Sequence, residues 1–374
     1  MKIYYIANAR MPNEKAHGIQ IAKMCEAFIE AGVDLTLVVP RRWKAPADMQ
    51  SFYTLRIPVP LVQLRIPKLY VLGTFGFFVS SLFFMMRYSF FLILKRFRGE
   101  HFLIYTVDMD SFSSALLPLL GRCVTEMHTP KPASVATRFF FKRVQGVIAT
   151  NPLIREALAM TFAIPPECLI CEPNGVDIRR FSNVSSQEEA RRKLLLPTNE
   201  KLALYIGRMY EWKGLEIISE ATVYLAEQNI TLGIVGATRA EFETVVKKSG
   251  EGIVFFGSCS SAQVPIWLAA ADVFFILGTK RDEASYRYTA PMKIFEYMAA
   301  QRPIVASRTP ALSSMITDEV LWYEPGNAND FACALIQAME HPDHSRITRA
   351  LALAQYHSWS ARAQRIIHFI EHYA

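Results

Sequence analysis

The sequence predicts an α/β protein of two domains, each with a parallel sheet. Three observations predict it. Short apolar runs of strand type alternate with stretches of helical spacing. The alternation occurs twice, once from Lys2 and again from Leu202. Residues 2–39 open the chain as strand, loop, helix and strand, the pattern of a nucleotide-binding half-domain. A length of 374 residues suits two domains of ordinary size.

Composition narrows the classes of partner. Apolar residues make up 51%, enough for two cores, and the net charge is +7. The pI is about 9.0, and the mean hydropathy of +0.15 is high for a soluble protein but low for one that crosses a membrane many times. The positive balance favours acidic partners such as nucleotide phosphates or anionic lipid. There is no dense Lys/Arg run of the kind that binds nucleic acid, so no nucleic acid is expected. Six scattered cysteines read as reduced thiols in a cytosolic setting. Cys168 and Cys171 have C-x-x-C spacing, but they lie in a strand-like run that points them to opposite faces. Met1 to Ala7 has a strand pattern and polar Asn8 and Arg10 follow, so no secretory signal is expected.

In the first half, Lys2–Ala7 reads as a strand buried on both faces. Ile21, Met24, Cys25, Phe28 and Ile29 then cluster at helical spacing until Gly32, and Val33–Val39 is the next strand. Gly18, at the helix start, can let a phosphate approach the backbone; plain helix entry is the alternative. Residues 41–68, with Pro46, Pro58, Pro60 and Pro67, read as an irregular excursion with short strands. Tyr70–Leu94 is the most apolar stretch, followed by Lys95, Arg96 and Arg98. It reads as a core helix over the sheet or as a helix lying on an anionic membrane surface through residues 70–98; a true span is the weakest of three options. Phe102–Val107 is a strand ending at Asp108 and Asp110, whose D-x-D spacing can hold a metal on a diphosphate or line an acceptor cleft. Cys123–Met127 is a strand leading to His128, which faces the ligand crevice if the domain is parallel. Val144–Thr150 reads as the last strand of the first half, and Asn151 with Pro152 starts a helix.

The boundary between halves is placed within residues 172–198, where Pro173, Asn174 and Gly175 mark a tight turn. Strands are expected at 202–206, 231–235, 253–256, 273–277, 303–306 and 320–323. Arg208 and Lys213 follow the first of these across Gly207, beside the start of a helix. A planar fork and a mobile ammonium in that position suit a diphosphate. Pro291 to Gln301 reads as a helix whose first amides can meet phosphate and whose Glu296 can accept from sugar hydroxyls. Trp359 to Tyr373 reads as a final helix.

Taken together, the motifs resemble those of family 4 retaining nucleotide-sugar glycosyltransferases. The resemblance rests on Pro173 to Asp177, Gly207-Arg208 with Lys213-Gly214, Phe295 to Ala300 and Arg302 to Ala306. Gly18, Glu126-Met127-His128 and Trp359 also fit, so it covers nearly the whole chain. It implies the GT-B architecture of two Rossmann-like domains facing a central cleft. Residues 1–172 with the returning helix 359–374 would form the acceptor domain, and 173–358 the donor domain. It implies that Arg208 and Lys213 hold the donor diphosphate in a metal's place, with Gly18 nearby. Met292 and Lys293 would offer backbone amides to phosphate, Glu296 would bind ribose hydroxyls, and His128 would lie beside the donor sugar. Where the family pattern carries a second Glu, this chain has Tyr288.

The expected activity is retaining transfer of a sugar from a UDP- or GDP-sugar to a hydroxyl acceptor, either a sugar or a lipid-linked or surface-polymer precursor. No cofactor or metal is expected, and the location is cytoplasmic, at most peripheral on the membrane's inner face. The alternatives are a non-catalytic nucleotide-sugar-binding or membrane-docked partner subunit, and a sugar-nucleotide epimerase.

Overall fold

A computed structural model describes residues 1–41, 48–67, 69, 73–107, 110, 112–182 and 185–373. The chain divides into two compact units, one of Met1–Asn174 with Trp359–Ala374, the other of Gly175–Ser358.

Among the described residues the first unit holds seven strands: β1 (Lys2–Ile6), β2 (Asp34–Pro40), β3 (Leu61–Leu64), β4 (Leu103–Val107), β5 (Cys123–Met127), β6 (Gly146–Ala149) and β7 (Leu169–Cys171). All pair in parallel in the order β3-β2-β1-β4-β5-β6-β7. Strands β4, β5 and β6 are buried along their whole lengths, which is why their sequences are continuous rather than alternating. The Ala16–Glu30 helix buries Ile21, Met24, Cys25 and Phe28, as its spacing predicts. The Trp359–His372 helix packs on it and buries Ala363, Ile366, Phe369 and Ile370. Each large apolar side chain so covered contributes roughly 1.5–3 kcal/mol.

The apolar stretch forms one helix, Gly73–Phe97; residues 70–72 lie outside the described residues. Phe84, Tyr88 and Leu92 join Tyr4, Ile6 and Ile104 in the core, and the Tyr88 hydroxyl donates to the Ser113 carbonyl at 2.8 Å. The core reading therefore describes one side of the helix. By length and composition it could cross a membrane, but its buried side completes this unit. The excursion at 41–68 contains a short helix, Met49–Tyr53, as well as β3; residues 42–47 and 68 lie outside the described residues.

The second unit holds β8 (Lys201–Ile206), β9 (Ile230–Val235), β10 (Ile253–Phe255), β11 (Val273–Ile276), β12 (Ile304–Ser307) and β13 (Leu321–Tyr323). They pair in parallel in the order β10-β9-β8-β11-β12-β13. The sheet is apolar on both faces. One face packs on Ile294, Phe295 and Met298, the other on Ile218, Ala221, Phe331 and Leu335. The helix expected at 291–301 is shorter, Lys293–Ala299, with Met292 as its cap. Gln301 takes a left-handed φ of 57°, which stops it. The two ends of this unit meet: the Val176 amide donates to the His357 carbonyl at 3.0 Å, and Val176 forms a parallel bridge with Ser358.

Candidate functional site

Ligands of open parallel sheets collect at the carboxyl edge, where neighbouring strands lead off in opposite directions. In the second unit that point lies between β8 and β11. The Gly207 amide, next after β8, donates to the Val235 carbonyl at 2.8 Å. A Cβ at this position would lie 2.6 Å from Lys293 Nζ and 3.1 Å from the Tyr205 hydroxyl, so glycine here makes room for a lysine head. The chain then runs through Arg208 into a short 3-10 turn, Glu211–Lys213, and Gly214 closes it at φ +72°. A Cβ on Gly214 would sit 2.9 Å from Thr279 Cβ and 3.1 Å from the Gly278 carbonyl oxygen, so the Lys213 turn is pressed onto the loop after β11.

Lys213 Nζ donates to the Arg208 carbonyl at 3.0 Å and to the Tyr205 hydroxyl at 3.1 Å. It lies 4.9 Å above the Tyr210 ring and 5.5 Å from that of Trp212, and those two rings stack. Burial, and then the neighbouring Lys293 charge, lower its pKa to about 7. Burial also lowers that of Lys293; Glu296 and Cys259 oppose the shift and Arg208 adds to it. Three cationic side chains thus share one sheet edge. Such a cluster strains toward losing a proton or taking up an anion.

The helix bearing Lys293 is anchored on β8, because the Tyr297 hydroxyl accepts from the Ile206 amide at 2.9 Å and its ring stacks on Phe274 at 4.5 Å. Glu296 lies one turn beyond Lys293 on the same side. Its carboxylate is 4.0 Å from Arg180 Nη1, and Arg180 also donates to the Ser261 carbonyl. The edge therefore presents cations at one end and an acceptor carboxylate at the other.

Arg208, Lys213, Lys293 and Glu296 all come from the loops and helix at this edge. Sequence reasoning missed two features. Lys293 is expected to act through its backbone, and its ammonium enters the cluster as well; the clue was Gly207, a glycine where the incoming side chain needs space. The stacked Tyr210 and Trp212 also went unread. The amides of Met292 and Lys293 stand at a helix start, where no acceptor exists within the helix. Tyr288 ends a single π-helical turn, Ala284–Tyr288, in the charged loop after β11.

In the first unit the corresponding point lies between β1 and β4. Asp110, the acceptor-side candidate, is hydrogen-bonded within its own unit. Its Oδ2 accepts from Asn8 Nδ2 at 2.9 Å, and its Oδ1 accepts from the amides of Phe112 and Ser113 at 2.9 and 2.6 Å, so it shapes its own loop. Asp108 lies outside the described residues. No cluster of three metal-ligating side chains occurs among the described residues. Gly18 is crowded by protein: a Cβ there would lie 2.6 Å from the Tyr53 hydroxyl and 2.7 Å from Asn13 Oδ1. Cys168 and Cys171 are free thiols, and burial together with Glu172 pushes Cys171 up to about 12.

His128 follows β5 directly, and its Nε2 lies 3.0 Å from Glu126 Oε1. Glu126 is fully buried. Its carboxylate also takes Gln20 Nε2 at 2.8 Å, the Tyr105 hydroxyl at 2.6 Å and Arg362 Nη2 at 2.9 Å. Burial pushes its pKa up, but Arg362 and His128 outweigh burial and hold it at about 2. An ionised acceptor at Nε2 keeps a proton on that nitrogen. His17 is nearby, lowered by burial and then by Lys15 and His128.

Residues 186–353 match the family model described as glycosyl transferases group 1. That match lies within the second unit. The chain is also 29% identical over 213 residues to TuaC of Bacillus subtilis, a protein named as a teichuronic acid biosynthesis glycosyltransferase, covering 55% of this chain and 50% of that one. It spans about half the length of the curated relatives it matches. Among solved structures, a sucrose-phosphate synthase of Thermosynechococcus elongatus superposes at a TM-score of 0.76 with 18% identity, over 99% of this chain and 98% of that one. Anabaena HepE in complex with UDP-glucose gives 0.72 with 16% identity, over 99% of both chains. At these identities the likeness speaks for the fold. It is the GT-B class, with two parallel α/β domains.

Proposed function

We propose that the chain is a retaining glycosyltransferase of the family 4 kind that uses a UDP- or GDP-sugar. The observation that carries this reading is the cluster of Arg208, Lys213 and Lys293 at the carboxyl edge of β8, with Glu296 one helical turn away. In this reading the diphosphate rests on the three cations and the ribose hydroxyls donate to Glu296. As the bond from the sugar to the diphosphate breaks, the charge that builds on the leaving group meets fixed positive partners, an effect worth several kcal/mol. A bond from the sugar to the acceptor oxygen forms on the same face, and the acceptor's proton leaves with the nucleotide. We assign His128 to a sugar hydroxyl, with Glu126 orienting the ring. The cations take a divalent ion's place, so turnover is expected to persist in chelator. The acceptor is proposed to be a hydroxyl on a surface-polymer or lipid-linked precursor, a reading supported by the name of the TuaC relative.

Thermal denaturation across nucleoside diphosphates tests the donor site. UDP or GDP raises the melting temperature by mass action, and Arg208→Ala or Lys213→Ala abolishes both that rise and transfer. Unchanged turnover in either variant would overturn the reading. Tyr288, in place of the family's second Glu, favours a non-catalytic binding subunit as the second reading; that reading is identified by nucleotide binding with neither transfer nor donor hydrolysis.

A further inference from the structure

The Gly73–Phe97 helix turns an apolar stripe away from the core of the first unit. Phe75, Leu82, Met86, Phe90, Ile93 and Phe97 recur every three, four or seven residues, and are 69, 38, 57, 67, 43 and 85% exposed. The stripe is about 33 Å long at 1.5 Å per residue. A soluble protein rarely leaves so extended an apolar face open to water. Along its flank Arg65 and Arg87 line a groove floored by Ile66, Pro67, Phe83 and Met86. Neither arginine has a carboxylate partner among the described residues, and the sequence has no Asp or Glu from residue 49 to 99.

This charge pattern separates two occupants. A second copy docking stripe on stripe would bring the same surface to both sides. Arginines would face arginines, with no acid in the segment to answer them. An anionic lipid leaflet supplies hydrocarbon for the stripe and phosphate for the guanidiniums. We propose that this face docks on an anionic phospholipid surface, with Arg65 and Arg87 gripping the phosphate of one lipid whose chain lies over Phe83 and Met86. The helix lies in the interface rather than crossing it, since Phe84, Tyr88 and Leu92 stay in the protein core.

The test is flotation of the full chain with vesicles of phosphatidylcholine alone or mixed with phosphatidylglycerol. The protein floats with the mixed vesicles at low salt and is released as salt rises. Arg65→Ala with Arg87→Ala lowers partitioning roughly thirtyfold, about 1 kcal/mol for each charge lost, and Phe90→Asp abolishes it. Both variants keep the melting-temperature rise with nucleoside diphosphate, so a defect here is distinguishable from loss of the donor site. Absence of binding to the mixed vesicles, or equal binding to neutral ones, would overturn the proposal. So would a dimer that Phe90→Asp converts to monomer without any vesicle binding, because a second copy would then cover the face.

Discussion

Lys213 is held in the folded chain against its own charge. Its pKa of about 7 stands below the ordinary 10.5, so the folded protein holds fewer protons there than the unfolded chain does. The sign follows. The destabilisation is fully present below pH about 7 and is relieved as pH rises toward the unfolded value. A bound diphosphate reverses the balance by favouring the ammonium, so binding above neutrality draws a proton from solution. Calorimetric titration with UDP or GDP at about pH 8, in buffers of differing ionisation enthalpy, should show uptake approaching one proton, and affinity should fall by up to about tenfold per pH unit above neutrality. Uptake near zero at that pH would mean that the Lys213 ammonium is already charged before the diphosphate arrives. At this scale the sequence was legible where spacing alone carries meaning, as for Arg208 with Lys213. It was silent on Lys293, whose role depends on where a flexible side chain comes to rest over Gly207.

Among the elements, the Trp359–His372 helix adds a buried arginine to its apolar contacts and to the Arg365–Glu172 pair. Arg362 reaches Glu126 and donates Nε to the Pro173 carbonyl at 2.7 Å and Nη2 to the Glu172 carbonyl at 3.1 Å. Replacing it by Met would leave the Glu126 carboxylate buried without its main counter-charge, a loss of about 3–5 kcal/mol, measurable by urea denaturation. Because Glu126 is depressed to about 2 from the ordinary 4.5, its contribution is present above the ordinary value and is lost as pH falls through about 2. If Arg362→Met had wild-type stability, the buried pair would be no anchor. The strands were readable from their apolar runs, and the helix from its stripe of Ile366 and Ile370. The pairing of residues 126 and 362 was not, because long-range partners leave no local pattern in one sequence. The same holds for Asp110, whose D-x-D spacing gives no sign of the Asn8 amide that lies against it.

At the scale of the whole molecule, two parallel sheets emerged from alternation, with all six strands of the second, while in the first β7 lies beyond Val144–Thr150, which reads as the last strand, and the order of strands within each sheet came only with the structure. The first unit is assembled from both termini of the chain, and the second is an uninterrupted stretch whose two ends are clasped together at Val176, His357 and Ser358. A body whose entrance and exit lie side by side is a cassette. Residues 175–358 expressed alone should fold cooperatively and keep their response to nucleoside diphosphate. Exchanging that cassette between relatives should carry donor preference with it while leaving the recipient's other specificities behind.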